Sequence, residues 1–449
     1  MRERLAEALQ SDPLRLFAFV LAFFALTQAW YEVERMACID YYQFWVVGQA
    51  IRHHETGDIY SAEERARLGR LYYERAVDEA GPSPETSRRW LAARRRETLE
   101  TYSTPWLYTL FATFSTGDYA RDETRFQRVS IAAYVAGIAL LCSALGYSVA
   151  AAAAALAVFL WWFAPAVSDM HVGNVNRIEI ALLASFAAGR SIAARIMPQR
   201  IATFIASAIL GAAVLFKPNL VFVPFVVGAG WLMLGRRRET AGGVAGFAIG
   251  AAVSLALSAV ASGSAAAWRS WCAELPELLR EYDHTLESGN YAVIRLLKER
   301  AGIDASLALP IVLLAAIAAA LFVAGRARRG AAAEVARRND ALWDALLTGL
   351  GAAVSLLAAQ LAWAHYFLLA IPLALVLLRP STSADRWIVV RRAGALLGVT
   401  LVAMESWRSI LGVGENSPAA EAAIVSSGAL ILFVLGLREC IWLARERPA

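Results

Sequence analysis

Cysteine is scarce and unpatterned. Cys38, Cys142, Cys272 and Cys440 are the only four, and no two form a CxxC pair, so neither a zinc site nor a disulfide framework is indicated. Lysine is scarcer still: Lys217 and Lys298 are the only two among 43 basic residues. The arginines sit in short loop clusters, the pattern that holds loops on the cytoplasmic side of a membrane rather than a nucleic-acid surface. Charge as a whole is thin, at 18% of residues against about 25% in soluble domains. No small-residue cleavage site follows the first apolar stretch, 14–30, which therefore reads as a retained helix.

What is plentiful is apolar sequence. Hydrophobic residues make up 58% of the chain, gathered in blocks near the ~20 residues needed to cross a ~30 Å hydrocarbon core. Thirteen blocks are visible, near 14–30, 105–116, 129–146, 148–164, 174–190, 200–216, 219–234, 241–261, 304–324, 342–360, 366–378, 387–410 and 421–443. The chain reads as an all-α polytopic membrane protein with one integral domain over 1–449. Basic loops at 1–15, 190–200, 235–239, 326–338 and 444–447 place both termini inside. An even number of crossings follows, about twelve. Either 105–116 is short or re-entrant, or 129–164 does not cross twice.

In this topology the first span is followed by a long outer loop, 31–103, whose charged, helix-forming sequence predicts interfacial amphipathic helices interrupted at Gly81-Pro82. A central bundle over 105–261, a second outer loop over 262–303 and C-terminal helices over 304–443 complete the chain.

Polar groups at membrane depth are costly unless they are paired or face a cavity, which makes each a functional candidate. Asp40 follows the first span, among Tyr41, Tyr42, Phe44 and Trp45. "DMHVGNVNRIE" (169–179) opens a helix with Asn174, Asn176, Arg177 and Glu179. Lys217 stands in "LFKPNL", Asn290 and Arg295 in "SGNYAVIRLL", and Trp363, His365 and Tyr366 in "AWAHYF". All five stretches fall on the outer side. Arg177 and Glu179 could pair with each other, and Lys217 could snorkel toward head groups.

In order and wording these motifs resemble those of the membrane glycosyltransferases of family 87, which use polyprenyl-phosphate mannose and have the GT-C fold. The resemblance spans roughly 10–380. Asp40 with Phe44-Trp45 matches the family's D-x-x-x-[YFW]. Gly173-Asn174-Val175-Asn176 stands for its G-Q-x-N, with Asn in place of Gln. Lys217-Pro218 matches its K-P, and Trp363 to Tyr366 its W-x-H-Y. Asn290-Tyr291-Ala292 takes the place of an N-x-S, with the Ser lost.

The resemblance implies a polyprenyl-phosphate sugar donor and a lipid or glycan acceptor; membrane lipids are further partners, and no nucleic acid is expected. The site would face the periplasm from the bacterial inner membrane. An aspartate after the first span would be the base, with a histidine contributing. The chemistry is consistent with this. A hydroxyl acceptor needs a carboxylate base, and aromatic neighbours would dry Asp40 and raise its basicity. Tyr42, Trp363 and Tyr366 could stack on sugar rings. Lys217, Arg177, Arg295, Asn290 and the Asn174 and Asn176 amides could bind the donor phosphate. The leaving group is already a charged phosphate, so no metal or other cofactor is expected. A single base predicts inversion, since retention needs a second close carboxylate, for which Asp169 and Glu179 are the candidates. A pentose donor is the nearest rival. A lipid-substrate transporter or flippase is the rival of another class, but no paired Gly/Pro interruptions in two halves support it.

Overall fold

The computed structural model describes residues 13–445 except 34, 83–86, 282–285, 287, 329–339, 382–384 and 412–416. The described chain is almost wholly helical, with one isolated bridge, Asn290 to Trp363. In chain order the helices are α1 Pro13–Glu32, α2 Ile39–Arg52, α3 Ala62–Ala80, α4 Arg88–Ala93, α5 Pro105–Phe114, α6 Tyr119–Ala144 and α7 Val149–Ala157. They continue as α8 Ala164–Val172, α9 Asn176–Ala187, α10 Gly189–Ala193, α11 Gln199–Phe216, α12 Phe222–Met233, α13 Arg237–Ala261 and α14 Ala266–Glu281. The last are α15 Val293–Ala301, α16 Ala308–Arg328, α17 Asp340–Leu357, α18 Ile371–Leu378, α19 Arg386–Val402, α20 Met404–Leu411 and α21 Pro418–Arg445. A π turn, Val158–Trp162, extends α7, and 3-10 turns at Pro218–Leu220 and Ala364–Ala370 lead into α12 and α18.

Among the described residues seven helices are long and apolar enough to cross a membrane: α1, α6, α11, α13, α16, α17 and α21. The α7–α8 pair, bent by 56°, makes an eighth if it is one broken span. Five apolar blocks become shorter helices: α5, α9, α12, α18 and α19. The 105–116 block is ten residues of helix, or about 15 Å, which is half a hydrocarbon core.

Local sequence sets the ends. Ser61, Ser87, Thr104, Asp118 and Ser148 each cap a helix start by accepting a backbone N–H from three residues on. The described residues of 31–103 include the helices α2 to α4, and α3 stops at Gly81, which has φ +62°.

Two apolar clusters share the packing. The larger joins α1, α6 to α9, α11, α12 and the C-terminal helices. The smaller joins α2 to α5, with Tyr119, Val175 and Phe216. Small residues bring α11 and α13 together: a Cβ on Gly250 would lie 2.0 Å from the Ala208 carbonyl oxygen, and one on Gly246 2.2 Å from that of Phe204. Close backbone approach of this kind is how helices associate where no water drives them together.

The bundle has two chemically different ends. At one, Asp344 at the start of α17 meets Arg190, Arg236 (3.0 Å) and the Trp231 indole N–H (2.8 Å). Glu439 there binds Arg391 (3.0 Å), Arg379 and Trp387 (2.7 Å). Helices α9, α11 and α17 run from that end to the other, where 174–179, 217 and 360–366 gather.

Candidate active site

At that other end, where the two apolar clusters meet, lies a cavity of about 860 Å³. Helix α2 supplies one wall. Its 3.6-residue period turns Asp40, Gln43 and Phe44 to the cavity and Tyr41, Tyr42 and Trp45 away from it. Tyr41 packs on Phe126 at 4.8 Å and Tyr42 on Tyr119 at 5.8 Å, and the Trp45 N–H donates to Asp122 at 3.1 Å. The aromatics flanking Asp40 in sequence therefore hold the helix from behind and do not enclose the carboxylate. Tyr42 is fully buried there, so it is not placed to stack on a sugar in the cavity. Phe44, Tyr102, Trp363 and Tyr366 are the aromatic surfaces that line it.

Gly173 brings the second wall in. It ends α8 in the left-handed region at φ +69°, and a Cβ there would come within 2.5 Å of the Cys38 Cβ. Both conditions favour glycine. The turn delivers Asn174, whose Nδ2 donates to Asp40 Oδ2 at 2.7 Å and lies 3.3 Å from His365 Nε2. Its Oδ1 accepts from Lys217 Nζ at 2.9 Å and from the Val175 N–H at 2.8 Å.

Lys217 leaves α11 in extended backbone because Pro218 cannot continue the helix. Its ammonium also donates to Asn176 Oδ1, pairs with Glu179 at 3.3 Å and sits 4.4 Å from the Tyr366 ring centre. It is a fixed cation in the cavity wall rather than a snorkelling one. His365 completes the group, with Nε2 3.9 Å from Asp40 Oδ2 and its carbonyl accepting from Asn176 Nδ2 at 3.2 Å.

The remaining candidates stand behind the wall. Arg177 is fully buried, donating from Nε to Asp169 at 2.7 Å and from Nη2 to Gln127. It does not pair with Glu179, and it does not reach the cavity. Asn176 bridges Asp169 (2.9 Å) and the His365 carbonyl. Asn290 Oδ1 accepts from Ala362 N at 3.1 Å, and Arg295 Nε donates to the Gln360 carbonyl at 2.7 Å. These two brace the strand-like run that carries Trp363 and His365, and neither lines the cavity. Asp169 and Glu179 are likewise enclosed. The carboxylates that share the cavity with Asp40 are Glu100 and Glu405.

Arg96 is the residue that sequence reasoning missed. Its Nη2 lies 3.3 Å from Asp40 Oδ1 and its Nη1 2.8 Å from Glu100. The run Arg94-Arg95-Arg96-Glu97 reads as solvated surface, and nothing in its local pattern points to a partner 56 residues upstream. Glu405 has no local signal either, and its carboxylate accepts from the Tyr291 hydroxyl.

No curated protein and no solved structure matches the chain. The model of glycosyltransferase family 87 matches residues 101–348, a segment that holds Asn174 and Lys217 and stops short of Asp40 and His365 at either end. That match covers more than half of the sequence, and the helical membrane architecture with its polar cavity agrees with it: the chain belongs to glycosyltransferase family 87.

Proposed function

We propose that the chain transfers mannose from a polyprenyl-phosphate donor to a hydroxyl of a lipid or glycan acceptor, at the periplasmic face of a bacterial inner membrane. The observation that carries this reading is the convergence of an acid, an amide, an ammonium and an imidazole, from residues 40 to 365, on one cavity. Asp40 takes the proton of the acceptor hydroxyl as its oxygen attacks the anomeric carbon. The bond from that carbon to the phosphate oxygen breaks, and polyprenyl phosphate leaves with the bonding pair. Lys217 supports the departing phosphate as a point charge, with the Asn174 amide beside it. Arg96 and Asn174 orient the Asp40 carboxylate. His365 takes part in handling the proton or the phosphate. One base and one displacement invert the anomeric centre. The charge already on the leaving group makes a metal unnecessary.

The orientation rests on the arginine clusters of the opposite end, Arg190 with Arg236 and Arg379 with Arg391, which favour the cytoplasm. The test is transfer of label from polyprenyl-phosphate [³H]mannose to membrane lipid or glycan by the purified chain, with and without EDTA. Transfer that survives EDTA and falls by about 10²–10⁴-fold in Asp40→Asn, the range of a general base, is the expected result. Undiminished transfer by Asp40→Asn removes the base assignment, and transfer only from the arabinose donor replaces mannose with a pentose.

A further inference from the structure

Behind the cavity, on the outer surface of α6, lies a second feature that the transfer reaction does not use. Arg121, Arg125 and Arg128 are spaced by four and three residues and so share one helix face. Arg121 and Arg125 are exposed, and among the described residues neither has a carboxylate partner. The Arg128 guanidinium lies 5.1 Å from the Trp30 ring centre. These side chains rim a basic hollow with Thr124. Arg125 and Val129 also border an apolar groove of about 360 Å³, walled by Phe111, Phe114, Phe126 and Phe216. That volume falls in the range of ligand sites, about 300–1,000 Å³. Asp122 lies at the groove, but its carboxylate is taken up by Ser115, Thr116, Gly117 and Trp45.

We propose that this face of α6 binds an anionic glycerophospholipid, with its phosphate on Arg121 and Arg125 and one acyl chain in the groove. Charge complementarity identifies the occupant. An apolar trough alone would take any lipid, whereas two arginines without a carboxylate partner at its mouth select a negative headgroup. The cluster stands at the cavity end of α6, opposite the end that holds Arg190, Arg236, Arg379 and Arg391, so a topological bias does not account for it. The groove also touches the site from behind. Tyr41 and Phe216 form part of its wall, and their chain neighbours Asp40 and Lys217 line the cavity. A chain seated there supports both elements without entering the cavity.

The experiment is native mass spectrometry and thermal melting of the full chain in detergent, titrated with phosphatidylglycerol or with phosphatidylcholine of identical acyl chains. Phosphatidylglycerol is expected to be retained and to raise the melting temperature, and phosphatidylcholine much less so. Arg121→Gln/Arg125→Gln should weaken phosphatidylglycerol by about 30-fold, the worth of two interfacial arginines. It should leave phosphatidylcholine and the lipid-free melting temperature unchanged, which separates lost binding from lost folding. Millimolar inorganic phosphate should not displace the lipid. Equal retention of the two phospholipids, or a double variant that binds like the parent, overturns the proposal. So does arginine-dependent preference for polyprenyl phosphate over phosphatidylglycerol, which would make the groove a seat for the donor's tail.

Discussion

Asn174→Asp changes one atom in the centre of the cavity and reverses its hydrogen-bonding sense. In the parent, Asn174 Nδ2 donates to Asp40 Oδ2 at 2.7 Å, while Oδ1 accepts from Lys217 at 2.9 Å. In the variant an acceptor oxygen occupies the donor's place, and two carboxylates face each other at hydrogen-bond distance. Losing a hydrogen bond to a charged group costs about 1.5–3 kcal/mol, or about 10–150-fold if Asp40 needs that bond in the transition state. The second effect is on pH. Two adjacent carboxylates resist joint ionisation and hold one proton between them. A base that must be ionised is then available only at higher pH. Mannosyl transfer by Asn174→Asp should therefore fall by that factor at neutral pH, with the acid limb of kcat/KM moved upward.

Asn174→Gln is the matched control, because it restores the residue usual in the family's motif and keeps the amide's donor and acceptor. It should retain most of the transfer and an unshifted profile. Measurement of tritium transfer from polyprenyl-phosphate [³H]mannose across pH decides the matter. If Asn174→Asp stays within about threefold of the parent, a change of less than 1 kcal/mol, and keeps its pH profile, the amide does not hold a working base and the assignment of Asp40 collapses.

Other expectations concern the donor cation and the frame. Lys217→Met should raise the KM for donor by about tenfold or more, the scale of a lost charge-assisted contact, and, because it leaves the buried Glu179 without its counter-charge, should also lower the melting temperature of the detergent-solubilised protein; an unchanged KM would free Lys217 from phosphate binding. Asp344→Asn removes the fully buried carboxylate between Arg190 and Arg236 and leaves them the longer 3.6 Å pairs with Asp340, so it should cost up to about 3 kcal/mol, visible as a lowered melting temperature; an unchanged melt would show that Asp340 suffices for both arginines. Gly250→Val would drive a side chain into the Ala208 carbonyl and should remove folded protein from the membrane fraction, whereas Gly228→Ala, with open space around it, should not. Equal yields of the two would contradict the close α11–α13 crossing.

The helical membrane class was legible in composition, and the candidate site was legible wherever a charged or amide side chain interrupted an apolar run. Asp40, Asn174, Lys217 and His365 stand out because an unpaired polar group in such a run is expensive, and the structure gathers all four at one cavity. The same logic is blind to Arg96, which sits among other arginines in a polar segment where no cost marks it. It also misjudges pairs. Arg177 and Glu179 are two apart in sequence, but residues i and i+2 of a helix do not face each other, so Arg177 turns to Asp169 and Glu179 to Lys217. Tyr42 follows from the same geometry, since two residues on from Asp40 in a helix is a rotation of about 200°, to the opposite face. The segments 218–233 and 364–378 are apolar like full spans and fall short of them in length, the first being cut off from α11 at Pro218.

The arrangement of charges explains why a neutral amide belongs at position 174. In the proposed reaction base and cation must work in the same cavity, yet a direct pair between Lys217 and Asp40 would neutralise both and fill the lone pair that the acceptor proton needs. The structure keeps them apart by giving each another partner: Lys217 is paired with Glu179 beneath the wall, and Asp40 with Arg96 on the far side. Asn174 stands between, with a side chain that accepts from the ammonium on one atom and donates to the carboxylate from the other without adding charge. A hydroxyl is too short to span both atoms, and a carboxylate would repel the base. The asymmetry of the amide therefore fixes which part of the cavity is anionic and which cationic.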